Sequence, residues 1–357
     1  MSALSEFTKK LSSVEADGAI ISSQLNIRYL CGFDYTDGYL VIFPETAYLL
    51  ADFRYIEAAK ASVRGFEIIM PEGSMLSEIR AILAKHNSTT VLIEDGSVTL
   101  SEFSKMRESL GDVTLSTGAT ELLVEQREIK TVVEIEAIAR AQSVTDAAFE
   151  HILGFITPER TEIEIALELE FFMRSHGADG VAFDIIAVSG QSSSLPHGVP
   201  SDKKLSQGFL TMDFGAKVDG YCSDMTRTVV IGKADGEMRK VYETVLRAQE
   251  AALATVREGI SCRQADKVAR DVISAAGYGD CFGHSLGHGV GLYIHEAPSL
   301  SPKAKDNSVL RCGHVVTVEP GIYIAGKYGC RIEDMIAIGR DGKIINFTRS
   351  PKELIEI

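Results

Sequence analysis

The stretches Leu210-Thr-Met-Asp-Phe214 and Val315-Val-Thr-Val-Glu-Pro320 are apolar, strand-like segments that each contain one carboxylate. Strand alternation places Glu319 on the same face as Val315 and Thr317, so its position in the strand does not by itself predict exposure to solvent. Two more acids stand in similar surroundings, Asp224 in Tyr-Cys-Ser-Asp-Met-Thr and Glu333 in Cys-Arg-Ile-Glu-Asp. Such side chains are almost never fully buried unless they are paired or bound to a metal.

These acids form two pairs along the chain, 213/224 and 319/333. If all four converge, their mutual repulsion has to be relieved by protons or cations, and two divalent ions balance four negative charges. The sequence therefore predicts a dinuclear metal site. The competing interpretation is a set of exposed turn residues or ordinary ion pairs with Arg227 and Arg331, because structural ion pairs also cluster acids.

The first third of the chain alternates short apolar runs with helical stretches. Five runs are predicted to be strands, at residues 18–22, 39–43, 47–50, 66–70 and 91–93. This order is typical of a small α/β domain of βαβ type. From Thr131 the apolar residues recur with a helical period, which predicts a long amphipathic helix and a domain boundary near 122–130. We therefore expect an N-terminal domain over residues 1–125 and a C-terminal domain over residues 126–357.

The C-terminal part repeats one order of elements, helices followed by strands. A helix is predicted from Thr161, with Glu164 as its capping-box partner, to Gly177. Two more helices are predicted at 237–257 and 262–276, and strands at 185–189, 209–214, 226–231, 315–324 and 332–338. Polar residues repeat too, since His197 precedes Leu205, Gly208 and Asp213 as His295 precedes Leu310, Gly313 and Glu319. We expect an α+β domain with an internal pseudo-two-fold duplication, whose halves face a shared site.

A glycine-rich segment, Gly283-His-Ser-Leu-Gly-His-Gly-Val-Gly291, contains two histidines four residues apart. Its four glycines disfavour a helix, so His284 and His288 are not expected to form a helical ligand pair. A glycine-rich loop can still aim one imidazole at a metal while the other acts differently. The segment also matches the G-x-S-x-G motif around Ser285, but the strand and helix that a nucleophile elbow requires are missing from the pattern.

Composition narrows the class of protein. The 357 residues include 36 basic and 50 acidic side chains, for a formal net charge of −14. This balance, without a basic cluster, disfavours nucleic acid or an anionic membrane as a partner. The first ten residues lack an export signal, no apolar run is long enough to span a membrane, and the six cysteines form no C-x-x-C pair. We expect free buried thiols and a cytoplasmic location.

Together these residues carry a family resemblance. The set Asp213, Asp224, His288, Glu319 and Glu333 resembles the ligand pattern of the pita-bread metallopeptidases, the group of methionine aminopeptidase, aminopeptidase P, prolidase and creatinase. The segments Asn26-Ile-Arg-Tyr-Leu-Cys-Gly-Phe and Leu50-Ala-Asp-Phe-Arg-Tyr resemble the creatinase-type N-terminal domain, which methionine aminopeptidases lack. Pro196-His197-Gly, the segment from His284 to Gly291 and Arg331-Ile-Glu-Asp are similar to the proline-specific members. The resemblance covers the whole chain and implies a creatinase-like domain followed by a pita-bread domain.

The resemblance also implies a ligand set. Asp213 would chelate one ion, Asp224 and Glu333 would bridge both ions, and His288 with Glu319 would complete the second. Carboxylates with a single imidazole and no thiolate suit Mn, Co, Fe or Zn, and Mn is the metal we expect.

Roles for the remaining residues follow from the same resemblance. Glu319 would also shuttle a proton for the attacking water. His197 and His295 would hold the substrate carbonyl and stabilise the tetrahedral oxyanion. His284 would line a pocket for a proline ring, and Arg331 would orient the neighbouring acids.

The implied substrates are peptides with proline in second position. Prolidases commonly carry an arginine just after the H-E-x-P segment to hold a dipeptide's carboxylate, whereas this chain has Ser299 after His295-Glu-Ala-Pro. That departure favours an Xaa-Pro aminopeptidase over an Xaa-Pro dipeptidase. A creatinase-like C–N hydrolase, which does not keep all five ligands, and a non-catalytic binding protein on the same fold are less favoured. The resemblance also implies a homodimer.

Overall fold

The computed structural model describes residues 2–35 and 37–357, and the chain divides into two compact units, residues 1–127 and 128–357. The helices of the described residues are α1 Ala3–Leu11, α2 Gln24–Cys31, α3 Ile56–Ser62, α4 Met75–Lys85, α5 Leu100–Leu110, α6 Ala119–Glu128, α7 Val132–Phe155, α8 Glu162–Ser175, α9 Gly236–Thr255 and α10 Cys262–Ala275.

The strands of the N-terminal unit are β1 Gly18–Ile21, β2 Tyr39–Ile42, β3 Ala47–Leu50, β4 Glu67–Ile69, β5 Thr90–Ile93 and β6 Thr114–Ser116. Those of the C-terminal unit are β7 Gly180–Val181, β8 Ile186–Ser189, β9 Gly208–Phe214, β10 Ala216–Val218, β11 Tyr221–Cys222, β12 Met225–Ile231, β13 Gly287–Gly289, β14 Glu296–Leu300, β15 Val315–Val318, β16 Gly321–Ile324, β17 Tyr328–Arg331, β18 Asp334–Ile338 and β19 Ile344–Asn346. Short 3-10 helices occupy Gly190–Ser194 and Gly279–Cys281.

The N-terminal unit is built on one mixed sheet with the strand order β4-β3-β2-β1-β5-β6. Strand β1 pairs antiparallel with β2 and parallel with β5. Consecutive residues of β1 pack into different cores, because Ala19 and Ile21 face one cluster and Ile20 faces another. A sheet buried on both faces explains why these strands are short, continuous apolar runs rather than alternating ones. The α/β prediction for this part is confirmed.

In the C-terminal unit, helix boundaries follow from their caps. The hydroxyl groups of Thr131 and Thr161 cap α7 and α8, and Glu134 and Glu164 complete the two capping boxes. Gly177, with φ of +98°, follows the end of α8 in a conformation that favours glycine. The α7–α8 pair packs on β9 and β12 in one core, and the α9–α10 pair packs on β15 and β18 in another.

Strands β8, β9 and β12 form one sheet, and β14, β13, β15, β18 and β19 form another. One predicted strand was wrong in extent: the segment 315–324 is two strands, β15 and β16, with Glu319 and Pro320 between them. Proline has no N–H to donate to a ladder, so the strand ends where the carboxylate begins to point into the site.

All six cysteines are free, but Cys31, Cys281 and Cys312 are only partly buried, so the expectation of buried thiols holds for three. Among the described residues, the structure has no helix both long and apolar enough to cross a membrane.

Candidate metal centre and substrate cavity

The four predicted carboxylates meet because strand pairing brings together segments far apart in sequence. Asp213 lies in β9, opposite Thr226 of β12, and Asp224 immediately precedes β12. Glu333 stands between β17 and β18, and its N–H donates to the carbonyl oxygen of Thr226 at 3.1 Å. Glu319 follows β15, and its N–H donates to the carbonyl oxygen of Leu286 at 2.8 Å. That last bond joins the acid to the glycine-rich segment.

His288 lies on β13 and faces these acids. Its Nε2 is 3.5 Å from Oδ2 of Asp224 and 3.5 Å from Oε1 of Glu319. Asp224, His288 and Glu333 each offer one ligand atom, and these three atoms lie within 4.8 Å of one another. Three donors at this spacing can surround a single ion.

The protonation of His288 is set by its other ring nitrogen. Nδ1 lies 3.0 Å from the carbonyl oxygen of Gly289, which can only accept, so Nδ1 carries the hydrogen and Nε2 presents a lone pair to the acids. Burial lowers the pKa of His288 to about 4, so the ring is neutral near pH 7. With its hydrogen on Nδ1, His288 leaves Nε2 free to coordinate a cation beside the carboxylates.

Three carboxylates, those of Asp224, Glu319 and Glu333, resist ionisation in the metal-free protein. Burial, and then the charges of Glu333, Asp213 and Glu319, raise the pKa of Asp224 well above its usual range. Burial, and then Glu319 and Asp213, do the same for the pKa of Glu333. Burial raises the pKa of Glu319 to about 8, with Arg331 opposing and Asp213 adding to the shift.

Arg331 is a cation within this cluster, and its guanidinium makes several short contacts. It contacts Oδ2 of Asp213 at 2.6 Å and donates to the hydroxyl of Thr226 at 2.8 Å and to the hydroxyl of Tyr323. Arg227 is the other arginine close to these acids in sequence. It forms an ion pair with Asp334, and its hydrogen bond to Glu333 goes to the backbone carbonyl oxygen rather than to the carboxylate. Ordinary ion pairs therefore do not neutralise Asp224, Glu319 and Glu333.

The residues present fit a pair of divalent ions. When all four clustered carboxylates are ionised, one guanidinium leaves three negative charges for cations to balance. Among the described residues, Oδ1 of Asp213 is a buried oxygen without a hydrogen-bond partner. Buried polar atoms are nearly always satisfied, so this carboxylate oxygen is available to bind a cation. The donor set of oxygens and one imidazole is the set expected from the sequence.

A cavity of about 700 Å³ surrounds the cluster. Every residue that the sequence predicts to act in the site lines it: Asp213, Asp224, His288, Glu319, Glu333, His197, His295, His284, Arg331 and Ser299. The imidazole of His295 stacks at a tilt against His288, with ring centroids 4.4 Å apart. Burial, and then His197, lower the pKa of His295, so this ring too is mainly neutral near pH 7.

His284 does not face the acids directly. Its Nδ1 lies 2.8 Å from the carbonyl oxygen of Ser285, and its Nε2 lies 3.0 Å from the hydroxyl of Tyr323. Burial lowers the pKa of His284 to about 4, so Tyr323 donates to a neutral ring while accepting from Arg331. Tyr323 was not predicted from the sequence. Its only sequence signal is its position in the strand segment that precedes Arg331.

The structure also bears on the two other interpretations of the glycine-rich segment, a helical histidine pair and a nucleophile elbow. His284 and His288 lie on a loop and a three-residue strand, not on a helix, as the glycines predicted. Ser285 is preceded by a loop and the 3-10 helix Gly279–Cys281 and followed by β13, so the strand-to-helix turn of a nucleophile elbow is absent from this described segment.

The fold and the buried cluster of carboxylates and imidazole define this protein as a metallopeptidase. Residues 136–340 match the family model described as Metallopeptidase family M24, and residues 4–129 match the Creatinase/Prolidase N-terminal domain. The chain belongs to metallopeptidase family M24, in its creatinase/prolidase branch. The family implies divalent metal ions.

Known relatives span nearly the same length as this chain. It is 44% identical over 340 residues to an uncharacterized peptidase of Bacillus subtilis, a match that covers 95% of each chain. A solved Xaa-Pro dipeptidase from Bacillus anthracis is 40% identical, with 99% of both chains covered and a TM-score of 0.95. A solved X-Pro aminopeptidase from Thermotoga maritima is 36% identical, with 98% of this chain and 99% of its own covered and a TM-score of 0.91. Both specificities therefore occur among close structural neighbours.

Proposed function

We propose that this metallopeptidase is an Xaa-Pro aminopeptidase, which removes the N-terminal residue from peptides with proline in second position. In this proposal two divalent ions are held by Asp213, Asp224, His288, Glu319 and Glu333. The neutral imidazole, the orphaned oxygen of Asp213 and the uncompensated charge support this ligand set. The manganese ions, the homodimer and the cytoplasmic location stay predictions.

Such ions, when bound, supply Lewis-acid activation of a water molecule and of the scissile carbonyl. The other steps belong to the side chains. Glu319 accepts the proton of the attacking water and returns it to the leaving proline nitrogen, the role of a general acid–base carboxylate. The hydroxyl of Thr317 donates to Oε1 of Glu319 at 3.1 Å and fixes that oxygen.

Two imidazoles bind the substrate carbonyl. His197 and His295 line the same cavity from separate loops, and an imidazole ring has an N–H to donate. Donors that point at the developing oxyanion stabilise the transition state more than the ground state. The ring of His284 and its partner Tyr323 form part of the wall against which the proline ring packs.

The observation that favours longer peptides is the charge of the cavity wall. Among the described residues that line it, Arg331 is the only lysine or arginine, and its guanidinium is already bound by Asp213, Thr226 and Tyr323. Ser299 lies at the wall where the resemblance would place a carboxylate-binding arginine. A dipeptide's C-terminal carboxylate therefore has no unoccupied cation to bind, whereas a longer peptide carries a neutral amide at that position.

An Xaa-Pro dipeptidase is the second candidate, because the Pyrococcus furiosus relative that is 36% identical over 354 residues is named as one. Hydrolysis of Ala-Pro-Ala and Ala-Pro by the manganese-loaded protein separates the two. We expect kcat/KM to be about 10- to 100-fold higher for the tripeptide than for the dipeptide. This factor corresponds to the free energy of one hydrogen bond to a charged group, which the dipeptide's carboxylate would lack. Replacing Ser299→Arg should narrow or reverse that ratio.

A suitable control for Ser299→Arg is Gln264→Arg, which adds the same charge at an exposed position of α10 outside the cavity lining. It should leave the ratio of the two substrates unchanged. A wild-type preference for the dipeptide would refute the aminopeptidase assignment and establish a dipeptidase. Inactivity on both substrates, with metal bound, would reject proline peptides altogether.

A further inference from the structure

The loop that carries His197 is tied at its base by a single buried carboxylate. This loop, residues 190–200, contributes five consecutive residues, 196–200, to the cavity wall. Its outer half has little support from burial, since Leu195 and Val199 are 59% and 82% exposed. The residues at its two ends, Ser189 and Ser201, both bind the side chain of Glu162, which lies in the first turn of α8.

Glu162 accepts four hydrogen bonds, two from each end of the loop. Its Oε1 accepts from the N–H of Ser189 at 2.7 Å and from the Ser189 hydroxyl at 3.1 Å. Its Oε2 accepts from the N–H of Ser201 at 3.1 Å and from the Ser201 hydroxyl at 2.7 Å. Each carboxylate oxygen thus serves one end, and the carboxylate fixes the distance between the two ends.

Backbone bonds complete the anchor in the opposite direction. The N–H groups of Glu162 and Ile163, which have no partner inside α8, donate to the carbonyl oxygens of Lys203 and Ser201. The Ser189 hydroxyl in turn accepts from the N–H of Ser206 at 3.0 Å. The helix N-terminus therefore holds the loop through both its N–H groups and its first side chain.

The environment makes this anchor rigid. Glu162 is 2% exposed, and in the part of the chain that the structure describes it forms no salt bridge. Its charge is stabilised by four donors and by the positive end of the α8 dipole. A buried charge that depends on directed hydrogen bonds penalises any shift of the loop, because each lost donor leaves the charge less compensated.

We propose that Glu162 is a positioning residue that sets the location of His197 in the substrate cavity. This inference rests on the proposed function, in which His197 contacts the substrate carbonyl. A displacement of about 1 Å in such a group can lower the rate about 100-fold. Glu162 does not touch the substrate, and it acts through the loop.

The test replaces Glu162→Gln, which keeps the shape but presents an amide N–H₂ to N–H and hydroxyl donors. We expect kcat on Ala-Pro-Ala to fall about 10- to 100-fold, with KM within about twofold and the metal content unchanged, as for an interaction made mainly in the transition state. The ¹³Cε1 NMR signal of His197, assigned with His197→Asn, should shift or broaden. Trypsin cleavage at the neighbouring Lys203 and Lys204 should become faster.

The N-terminal unit supplies a matched control, Glu94→Gln. Glu94 is also 2% exposed and also accepts two backbone N–H groups, from Ser22 and Ser23, together with the side chains of Ser23 and Asn26. This substitution should lower the melting temperature by a similar amount, while kcat, KM, the His197 signal and the cleavage at Lys203 and Lys204 stay native.

If Glu162→Gln and Glu94→Gln have the same kcat, or if the loss of activity in Glu162→Gln follows loss of metal, the inference is overturned. Should Glu162→Gln fail to fold, the double variant Ser189→Ala/Ser201→Ala removes only the hydroxyl donors. A severalfold loss of kcat with a shifted His197 signal supports the inference, and native values of both overturn it. If the wild-type protein cleaves no proline peptide, the proposed function fails separately, and the His197 signal alone then decides whether Glu162 positions this loop.

Discussion

Glu333→Gln is expected to abolish hydrolysis, with kcat/KM on Ala-Pro-Ala lower by about 10³-fold or more, because an amide would not replace the carboxylate that we propose as a ligand of the ions. The same variant should bind fewer divalent ions per chain than the wild type. Elemental analysis of the metal-loaded proteins and steady-state kinetics measure both effects. The exposed Glu353→Gln, in the same unit, is the control and should retain both properties.

The metal-free form of Glu333→Gln should behave in the opposite way in a melting experiment. Burial, and then Glu319 and Asp213, raise the pKa of Glu333 above that of an unfolded glutamate. The folded protein therefore holds more protons than the unfolded one, and metal-free stability falls as the pH rises through the window between the two pKa values. Glutamine removes the contribution of Glu333 to this pH dependence and can still accept the hydrogen bond from Thr226, which is 2.7 Å in the wild type.

We expect the metal-free variant to melt at or above the wild-type temperature at about pH 8, by a margin that shrinks towards about pH 5. Added manganese should raise the melting temperature of the wild type much more than that of the variant. If the metal-free variant were much less stable than the wild type at pH 8, the role of Glu333 would be to stabilise the fold and not to bind a cation.

His197→Ala is the second substitution with a large expected effect, a loss of about 10²- to 10³-fold in kcat, the range found when one oxyanion donor is removed. KM should change little, and the metal content should remain native, because His197 is not among the proposed ligands. This pattern separates a substrate-binding imidazole from a ligand such as His288, whose removal should lower metal content as well.

His151→Ala provides the control for histidine loss. His151 lies on α7, outside the cavity lining, and its contacts are Glu168 and the ring of Phe172. Its replacement should leave kcat and KM unchanged. Full activity in His197→Ala, measured on the same tripeptide, would remove His197 from the reaction and leave His295 as the remaining candidate donor.

Much of the site could be predicted from the sequence, because its residues are of a type that is unusual for the segments in which they stand. Asp213 and Glu319 are charges in strand-like apolar segments, and the cost of burying an unpaired charge makes such positions stand out. His288 is conspicuous in the same way, since its flanking glycines exclude the structural role of a helical histidine. The helix starts were equally predictable, because Thr131 and Thr161 carry their capping partners three residues away.

Other residues were not predictable because their importance lies only in long-range contacts. Glu162 has the local sequence of an ordinary first-turn acid, and its partners lie 27 and 39 residues away. Tyr323 could equally have been a core aromatic, since only the fold places its hydroxyl between Arg331 and His284. The pattern of charges in the sequence also could not show that Arg227 forms an ion pair with Asp334 and not with Glu333.

The most direct test of the central claim is a titration of the metal-stripped protein with manganese, in which bound ions per chain and Ala-Pro-Ala hydrolysis are measured in the same samples. We expect the stripped protein to be inactive and full activity to return as binding reaches two ions per chain. Hydrolysis that survives complete metal removal would contradict a dinuclear metallopeptidase built on these five ligands.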